Sequence, residues 1–101
     1  MEADCLKALT DKDELLAPIR QEFYLSVDVR ADYLEYLLKK AFTVMQSNFG
    51  IAYTGESSQK IILQDLVRHF YKGGADKDIP IYLKRMINQE KLKGGQNEIK
   101  N

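Results

Sequence analysis

The sequence predicts a mainly α-helical protein with one short N-terminal strand followed by three helices. In three stretches, apolar residues recur every three or four positions, which places them on one face of a helix. Glycine and proline lie at or near the ends of those stretches, where helices start and stop. A fourth, shorter stretch alternates apolar and polar residues, which is typical of a half-buried strand.

The chain of 101 residues is long enough for one domain with a modest core. We predict that residues 1–93 form that domain. Residues 94–101 are polar and glycine-rich, so we expect a flexible C-terminal tail there.

The first helix is predicted from about Asp11 to Ala17. Pro18 is expected to end it, because proline lacks a backbone N–H and disfavours helix in the residue before it.

Residues 19–27 fit two patterns. Phe23, Leu25 and Val27 alternate with polar neighbours, as in a strand. Ile19, Phe23 and Val27 are also four residues apart, as on a helix. We favour the strand, because tyrosine, valine and phenylalanine are common in strands. The helical alternative makes the chain a four-helix bundle.

The longest helix is predicted from Asp28, a suitable N-cap, to Phe49, with Gly50 ending it. We expect the other segments to pack on this helix, because its apolar face is the largest. That face consists of Leu34, Leu37, Leu38, Ala41, Phe42, Met45 and Phe49.

Two more helices follow. One is predicted from Ser58 to Tyr71, with Ser57 as its N-cap and Gly73-Gly74 at its end. Asp76 or Asp78 is expected to cap the last helix, with Pro80 in the first turn. The apolar faces are Ile62, Leu63, Leu66, Val67 and Phe70, and then Ile79, Tyr82, Leu83, Met86 and Ile87.

Composition narrows the function classes. Lysine plus arginine and aspartate plus glutamate each number 15, so the strongly basic charge common in nucleic-acid-binding proteins is missing. Cys5 is the single cysteine, which excludes an internal disulfide and agrees with a reducing compartment. No apolar run is long enough to cross a membrane, and the N-terminus is acidic where a signal peptide is basic. We therefore predict a cytoplasmic protein without membrane contact.

We predict no enzymatic activity, no cofactor and no metal ion. His69 is the only histidine, and a lone imidazole is a poor start for a zinc site. Residues 50–57 have the glycine spacing of a phosphate-binding loop, but Glu56 stands where that loop needs lysine. No pair of titratable groups is spaced to share a reaction centre.

Four segments occur in the order of one DNA-binding architecture. They are Phe23–Asp28, Tyr33–Leu38, Gly55–Ile62 and Leu66–Tyr71. Together, residues 19–72 resemble a ribbon-helix-helix DNA-binding domain, with a strand, a helix, a turn containing Gly-x-Ser and a second helix. The resemblance implies a small DNA-binding or transcription-regulating accessory protein that acts as a homodimer, with paired strands in the major groove of double-stranded DNA.

The resemblance also implies a set of DNA contacts. Glu22, Tyr24 and Ser26 are expected to face the bases, with Arg20 near the edge of the ribbon. The N-terminus of the second helix is expected to hold a backbone phosphate through Ser57, Ser58 and Lys60.

The competing hypothesis is a helical protein–protein interaction adaptor or inhibitor without a DNA role. It follows from the four-helix alternative. Its candidate partner-contacting residues are Tyr24, Tyr36, Phe70 and Tyr82.

Overall fold

The computed structural model describes the backbone of residues 10–25 and 30–100, with side chains for all of these except residues 76 and 94–100. This part contains four α-helices and no strand. We number them α1 (Lys12–Glu22), α2 (Ala31–Thr43), α3 (Ser57–Tyr71) and α4 (Ile81–Lys100). A π-helical turn, Val44–Asn48, continues α2, and a 3-10 turn, Asp76–Asp78, precedes α4. The prediction of a mainly helical protein is confirmed.

The strand prediction is wrong for the described part of residues 19–27. Residues 19–22 complete α1, and residues 23–25 form a turn in which the Phe23 N–H donates to the Ile19 carbonyl at 3.0 Å. Helical spacing brings Leu15, Leu16 and Ile19 together in the core. A strand starting at Ile19 would separate that residue from the other two. Residues 26 and 27 lie outside the described residues.

Pro18 does not end α1, contrary to prediction. Its ring is exposed, so the carbonyl that loses its N–H donor is at the solvent side of the helix. Proline inside a helix costs about 3 kcal/mol. Burial of Ile19, the core residue after Pro18, gains about 1.5 to 3 kcal/mol, which offsets much or all of that cost.

Six of the seven core residues predicted for α2 are buried, and Phe49 is only partly buried, just after the π-helical turn. The buried six are Leu34, Leu37, Leu38, Ala41, Phe42 and Met45. The helix begins at Ala31, after Arg30 in a left-handed conformation, whereas the proposed cap Asp28 lies outside the described residues. Gly50 follows the π-helical turn with a φ of 72°, as its predicted role at the helix end requires.

The helix that contacts all three others is α3, although α2 was expected to hold that position. Three polar contacts, four residues apart along α3, align it with α1. Lys60 pairs with Glu14 at 2.9 Å, Gln64 donates to the Leu15 carbonyl at 3.1 Å, and Arg68 pairs with Glu22 at 3.0 Å. Both helices therefore run in the same direction.

Gly73 and Gly74 end α3 as predicted. The N–H of Gly73 donates to the Phe70 carbonyl at 3.0 Å, and that of Gly74 donates to the His69 carbonyl at 2.9 Å. These two bonds form the Schellman pattern of a helix C-terminus.

The start of α4 differs from the prediction. Asp76 and Asp78 belong to the separate 3-10 turn, and the Pro80 carbonyl accepts the first bonds of α4 from Leu83 and Lys84. Neither aspartate caps α4, because the chain is extended at Ile79 before the helix begins.

The apolar face of α4 is mostly as predicted. Ile79, Leu83 and Ile87 are buried and Met86 is partly buried against the core, but Tyr82 is exposed. Near the other end of α4, Glu90 accepts a hydrogen bond of 2.7 Å from Ser58, at the start of α3.

Candidate functional site

Four aromatic rings contact one another in series on one corner of the molecule. The centroid distances are 4.4 Å from Phe23 to Tyr71, 6.1 Å from Tyr71 to Tyr33, and 6.4 Å from Tyr33 to Tyr36. These distances fall in or close to the range of favourable ring–ring contacts. We call these four residues the aromatic row.

The aromatic row forms where three helix ends meet. Phe23 directly follows α1, Tyr71 is the last residue of α3, and Tyr33 and Tyr36 lie in the first two turns of α2. Because α1 and α3 run in the same direction, their C-terminal ends lie side by side. The three-residue spacing of the two α2 tyrosines then places both rings on one side of that helix.

Exposure increases along the aromatic row. Phe23 and Tyr71 are partly buried against the core, whereas Tyr33 is 41% and Tyr36 is 58% exposed. The exposed pair therefore rests on an anchored pair. The row combines a fixed base with an accessible aromatic surface.

One basic side chain contacts the aromatic row, and two others lie close to it along the chain. The Arg30 guanidinium carbon is 5.7 Å from the centroid of the Tyr71 ring, a cation–π distance. Arg20 lies one helical turn before Phe23, and Lys72 follows Tyr71. Among the described residues, no carboxylate pairs with any of these three cations.

Arg20 also has a polar atom without a partner. Its Nε is inaccessible to solvent and makes no hydrogen bond within the described part of the chain. An N–H of a charged group buried without an acceptor is unfavourable, by about 1 to 3 kcal/mol or more. The Arg20 Nε is therefore an unsatisfied donor in this structure.

Tyr24, beside Phe23, is the most exposed large hydrophobic side chain described, at 95%. Its φ of 58° is left-handed, which is rare for a bulky residue and costs about 1 to 2 kcal/mol. Its ring therefore projects into solvent from a strained backbone, next to the aromatic row.

The predicted DNA-contacting residues divide into two groups. Arg20, Glu22 and Tyr24 lie at the end of α1. Ser57, Ser58 and Lys60 lie at the start of α3, at the opposite end of the α1–α3 pair. Between Lys60 and Arg68, which contacts Glu22, α3 rises by about 12 Å. Ser26 lies outside the described residues.

Several of these side chains already have partners within the chain. Lys60 pairs with Glu14, and this hydrogen bond raises the pKa of the Lys60 amine. Ser58 donates to Glu90, which is also 3.5 Å from Lys93. Ser57 is exposed. Two of the three proposed phosphate ligands thus contact carboxylates of their own chain.

Three of the four proposed partner-contacting residues are exposed. Tyr24 and Tyr36 are exposed, and Tyr82 is 56% exposed. Phe70 is buried in the core at 3% exposure, so its side chain is not available to a partner. Sequence reasoning did not group Tyr33 and Tyr36 with Phe23 and Tyr71. The available signal was that both α2 tyrosines fall outside that helix's apolar stripe.

Gln59 is a second residue that sequence reasoning missed. Its buried amide oxygen accepts from the N–H of Thr54 at 2.7 Å and of Gly55 at 3.2 Å, while its nitrogen donates to the Ala52 carbonyl at 3.0 Å. It therefore holds the connector between α2 and α3 in shape. The available signal was a glutamine in phase with the apolar stripe of α3.

Residues for metal binding are not grouped in the described part of the chain, where no three His, Cys, Asp or Glu side chains lie together. The same residues include no helix with the length and hydropathy to cross a membrane. No protein-family model, curated protein or solved structure matches the chain.

Proposed function

We propose that this protein is a non-enzymatic helical module that binds another protein through the aromatic row. The observation that supports this proposal is the aromatic row itself. Its four rings contact one another in series, and the last two belong to the half-exposed tyrosines. Contiguous exposed apolar surface of this kind often marks an interaction site.

Energetics support a binding role for Tyr33 and Tyr36. Both rings expose a large fraction of their surface, so they contribute less to the core than a buried ring would. Tyrosine is enriched among residues that dominate binding energy, since its ring supplies contact area with few rotatable bonds. Contact between the two rings restricts them before a partner arrives, which lowers the entropy lost on binding.

Selection from a random peptide library displayed on phage tests this proposal. Peptides are selected on the wild-type protein and then sorted on two variants, Tyr36→Ala and Tyr82→Ala. The two tyrosines are 58% and 56% exposed and lie on different helices, so Tyr82→Ala is a matched control. The proposal is supported by peptides that bind the wild type and Tyr82→Ala equally well. These peptides should bind Tyr36→Ala at least about tenfold more weakly. If Tyr36→Ala retains all selected peptides, the aromatic row is not the docking surface.

A homodimeric DNA-binding or regulatory role is the second proposal, and its support is the 95% exposed Tyr24 among the proposed base contacts. The proposed role needs two chains, with Arg20 and Glu22 on α1 and Tyr24 in the turn after it rather than on a ribbon strand, so sedimentation equilibrium over a wide concentration range tests it first. A monomer at tens of micromolar would contradict it. For a dimer, a salt-dependent titration with duplex DNA follows, in which Lys60→Ala should lower the salt slope by about one.

We also infer a cytoplasmic location, supported by the single cysteine.

A further inference from the structure

We propose that the segment that docks on the aromatic row is an acidic peptide with at least one large apolar side chain. The apolar side chain covers Tyr33 and Tyr36, and carboxylates contact the cations around the row. This inference depends on the proposed function and adds the chemistry of the partner.

Charge complementarity carries the inference. Elsewhere, cations between helices have carboxylate partners, as in the pairs of Lys12 with Glu35 and Lys60 with Glu14. At the aromatic row, Arg20, Arg30 and Lys72 have no such partner among the described residues. A partner's carboxylates would supply the missing charge.

Arg30 is better suited to this role than an ordinary surface cation. The guanidinium of Arg30 is held near the Tyr71 ring, so less side-chain freedom is lost when it binds a carboxylate. Arg20 is half-buried and its Nε is inaccessible, so Arg20 contributes its charge and no hydrogen bond from Nε. Guanidinium groups form paired hydrogen bonds with carboxylates, which are stronger than neutral ones.

A nucleic acid also carries negative charge and stacks on aromatic rings, but the remaining charges favour a peptide. Exposed Asp32, which has no cation partner among the described residues, lies one residue before Tyr33. A phosphate backbone with a charge at every nucleotide would be repelled by this carboxylate. A peptide can carry its carboxylates only where the cations are.

The selected peptides provide the test. A fluorescein-labelled peptide that depends on Tyr36 is compared with its amide analogue, in which each Asp becomes Asn and each Glu becomes Gln. We expect the analogue to bind about tenfold more weakly by fluorescence anisotropy at low salt, and the difference to shrink as salt rises. Arg30→Gln should weaken the acidic peptide about three- to tenfold and leave the analogue unchanged. Lys84→Gln, which removes an exposed cation on α4, should change neither.

The outcomes separate the two proposals. Peptides that depend on Tyr36 but bind equally well as amide analogues would overturn the acidic-partner inference and leave the interaction module standing. Selection of no Tyr36-dependent peptide would overturn both. A single-stranded DNA oligonucleotide is also tested as a competitor. If it displaces the peptide with equal or greater affinity, and if its binding depends on Arg30, the cations would be assigned to nucleic acid. A dimer in sedimentation that Tyr36→Ala converts to a monomer would assign the row to a second copy. Circular dichroism verifies that each variant is folded.

Discussion

The phenol of Tyr53 donates a hydrogen bond of 2.8 Å to Oδ2 of Asp11, 42 residues earlier in the chain. Tyr53 is buried in the connector between α2 and α3, and Asp11 directly precedes α1. The bond therefore fastens the connector to the start of α1. Burial raises the pKa of the Tyr53 phenol, and the hydrogen bond and negative charge of Asp11 raise it further.

Tyr53→Phe should lower the free energy of unfolding by about 1 to 2 kcal/mol at neutral pH, because a hydrogen bond to a carboxylate is lost. Urea unfolding followed by circular dichroism measures this change. Tyr36→Phe is the control, since the Tyr36 ring is largely exposed. A loss as large in Tyr36→Phe would show that the Asp11 bond is not the cause.

Alkaline pH should destabilise the wild type more than Tyr53→Phe. Below the ordinary tyrosine pKa of about 10, Tyr53 is neutral in both the folded and unfolded chains, so the stabilisation is fully present. Above that pH, the unfolded chain releases the Tyr53 proton while the folded chain retains it. The free energy of unfolding then falls by up to about 1.4 kcal/mol for each pH unit from this group. Parallel pH profiles for the two proteins would contradict the raised pKa.

Gln59→Ala should be among the more destabilising polar substitutions, by about 2 to 4 kcal/mol. It removes the acceptor of the Thr54 and Gly55 N–H groups and the donor to Ala52. Amide hydrogen exchange should accelerate at Thr54 and Gly55 in particular. Gln89→Ala, at an exposed position on α4, should change stability by less than about 0.5 kcal/mol. Unchanged exchange at both amides would show that Gln59 does not hold the connector.

Gly74→Ala should destabilise the protein because the new Cβ would overlap the His69 imidazole. That ring is held in place by a hydrogen bond of 2.9 Å between Nε2 and the Ala75 carbonyl. We expect a loss of about 1 to 3 kcal/mol. The loss should be smaller when Gly74→Ala is made in a His69→Ala background.

Gly73→Ala is the matched control for the comparison of Gly74→Ala with and without His69. No atom lies within 4 Å of a Cβ added at Gly73, but its φ of 91° disfavours any other residue. Its loss of about 1 kcal/mol should therefore be the same with or without His69. If His69→Ala relieves both substitutions equally, the imidazole contact is not the specific cause.

Pro18→Ala should stabilise the protein by about 1 to 2 kcal/mol. Alanine restores an N–H for the Glu14 carbonyl and removes the ring from the interior of α1, while the lost rigidity of the unfolded chain offsets part of the gain. The denaturation midpoint should rise, with an unchanged dependence of free energy on urea concentration. A lower midpoint would show that Pro18 itself contributes packing that alanine lacks.

The sequence predicted the fold best where the spacing of apolar residues and the residues that end helices agreed. The stripe of α3 from Ile62 to Phe70 has one period and ends at a glycine pair, so both the helix and its end were predictable. In residues 19–25, the apolar residues fitted both the two-residue period of a strand and the four-residue spacing of a helix. Only packing of Ile19 beside Leu15 and Leu16 favours the helix there, and that contact with the core is a tertiary effect.

The candidate site was less predictable than the fold. Tyr36 was proposed as a partner contact only under the four-helix alternative, and its ring is 58% exposed. The contact between Phe23 and Tyr71 joins residues far apart in the chain, and no local pattern encodes it. Gln59 and Tyr53 were missed for the same reason, since their roles depend on partners that the folded chain brings to them.

The polar contacts between α1 and α3 exist at only one alignment of the two helices, although each contributes little free energy. A slide of α1 by one helical turn would move it by about 5.4 Å and separate Glu14 from Lys60 and Glu22 from Arg68 together. The same slide would move the buried Leu15, Leu16 and Ile19 out of their places in the core, which costs more than two exposed ion pairs. It also exceeds the 4.4 Å between the Phe23 and Tyr71 centroids. The packing that aligns α1 with α3 therefore also brings the aromatic row together.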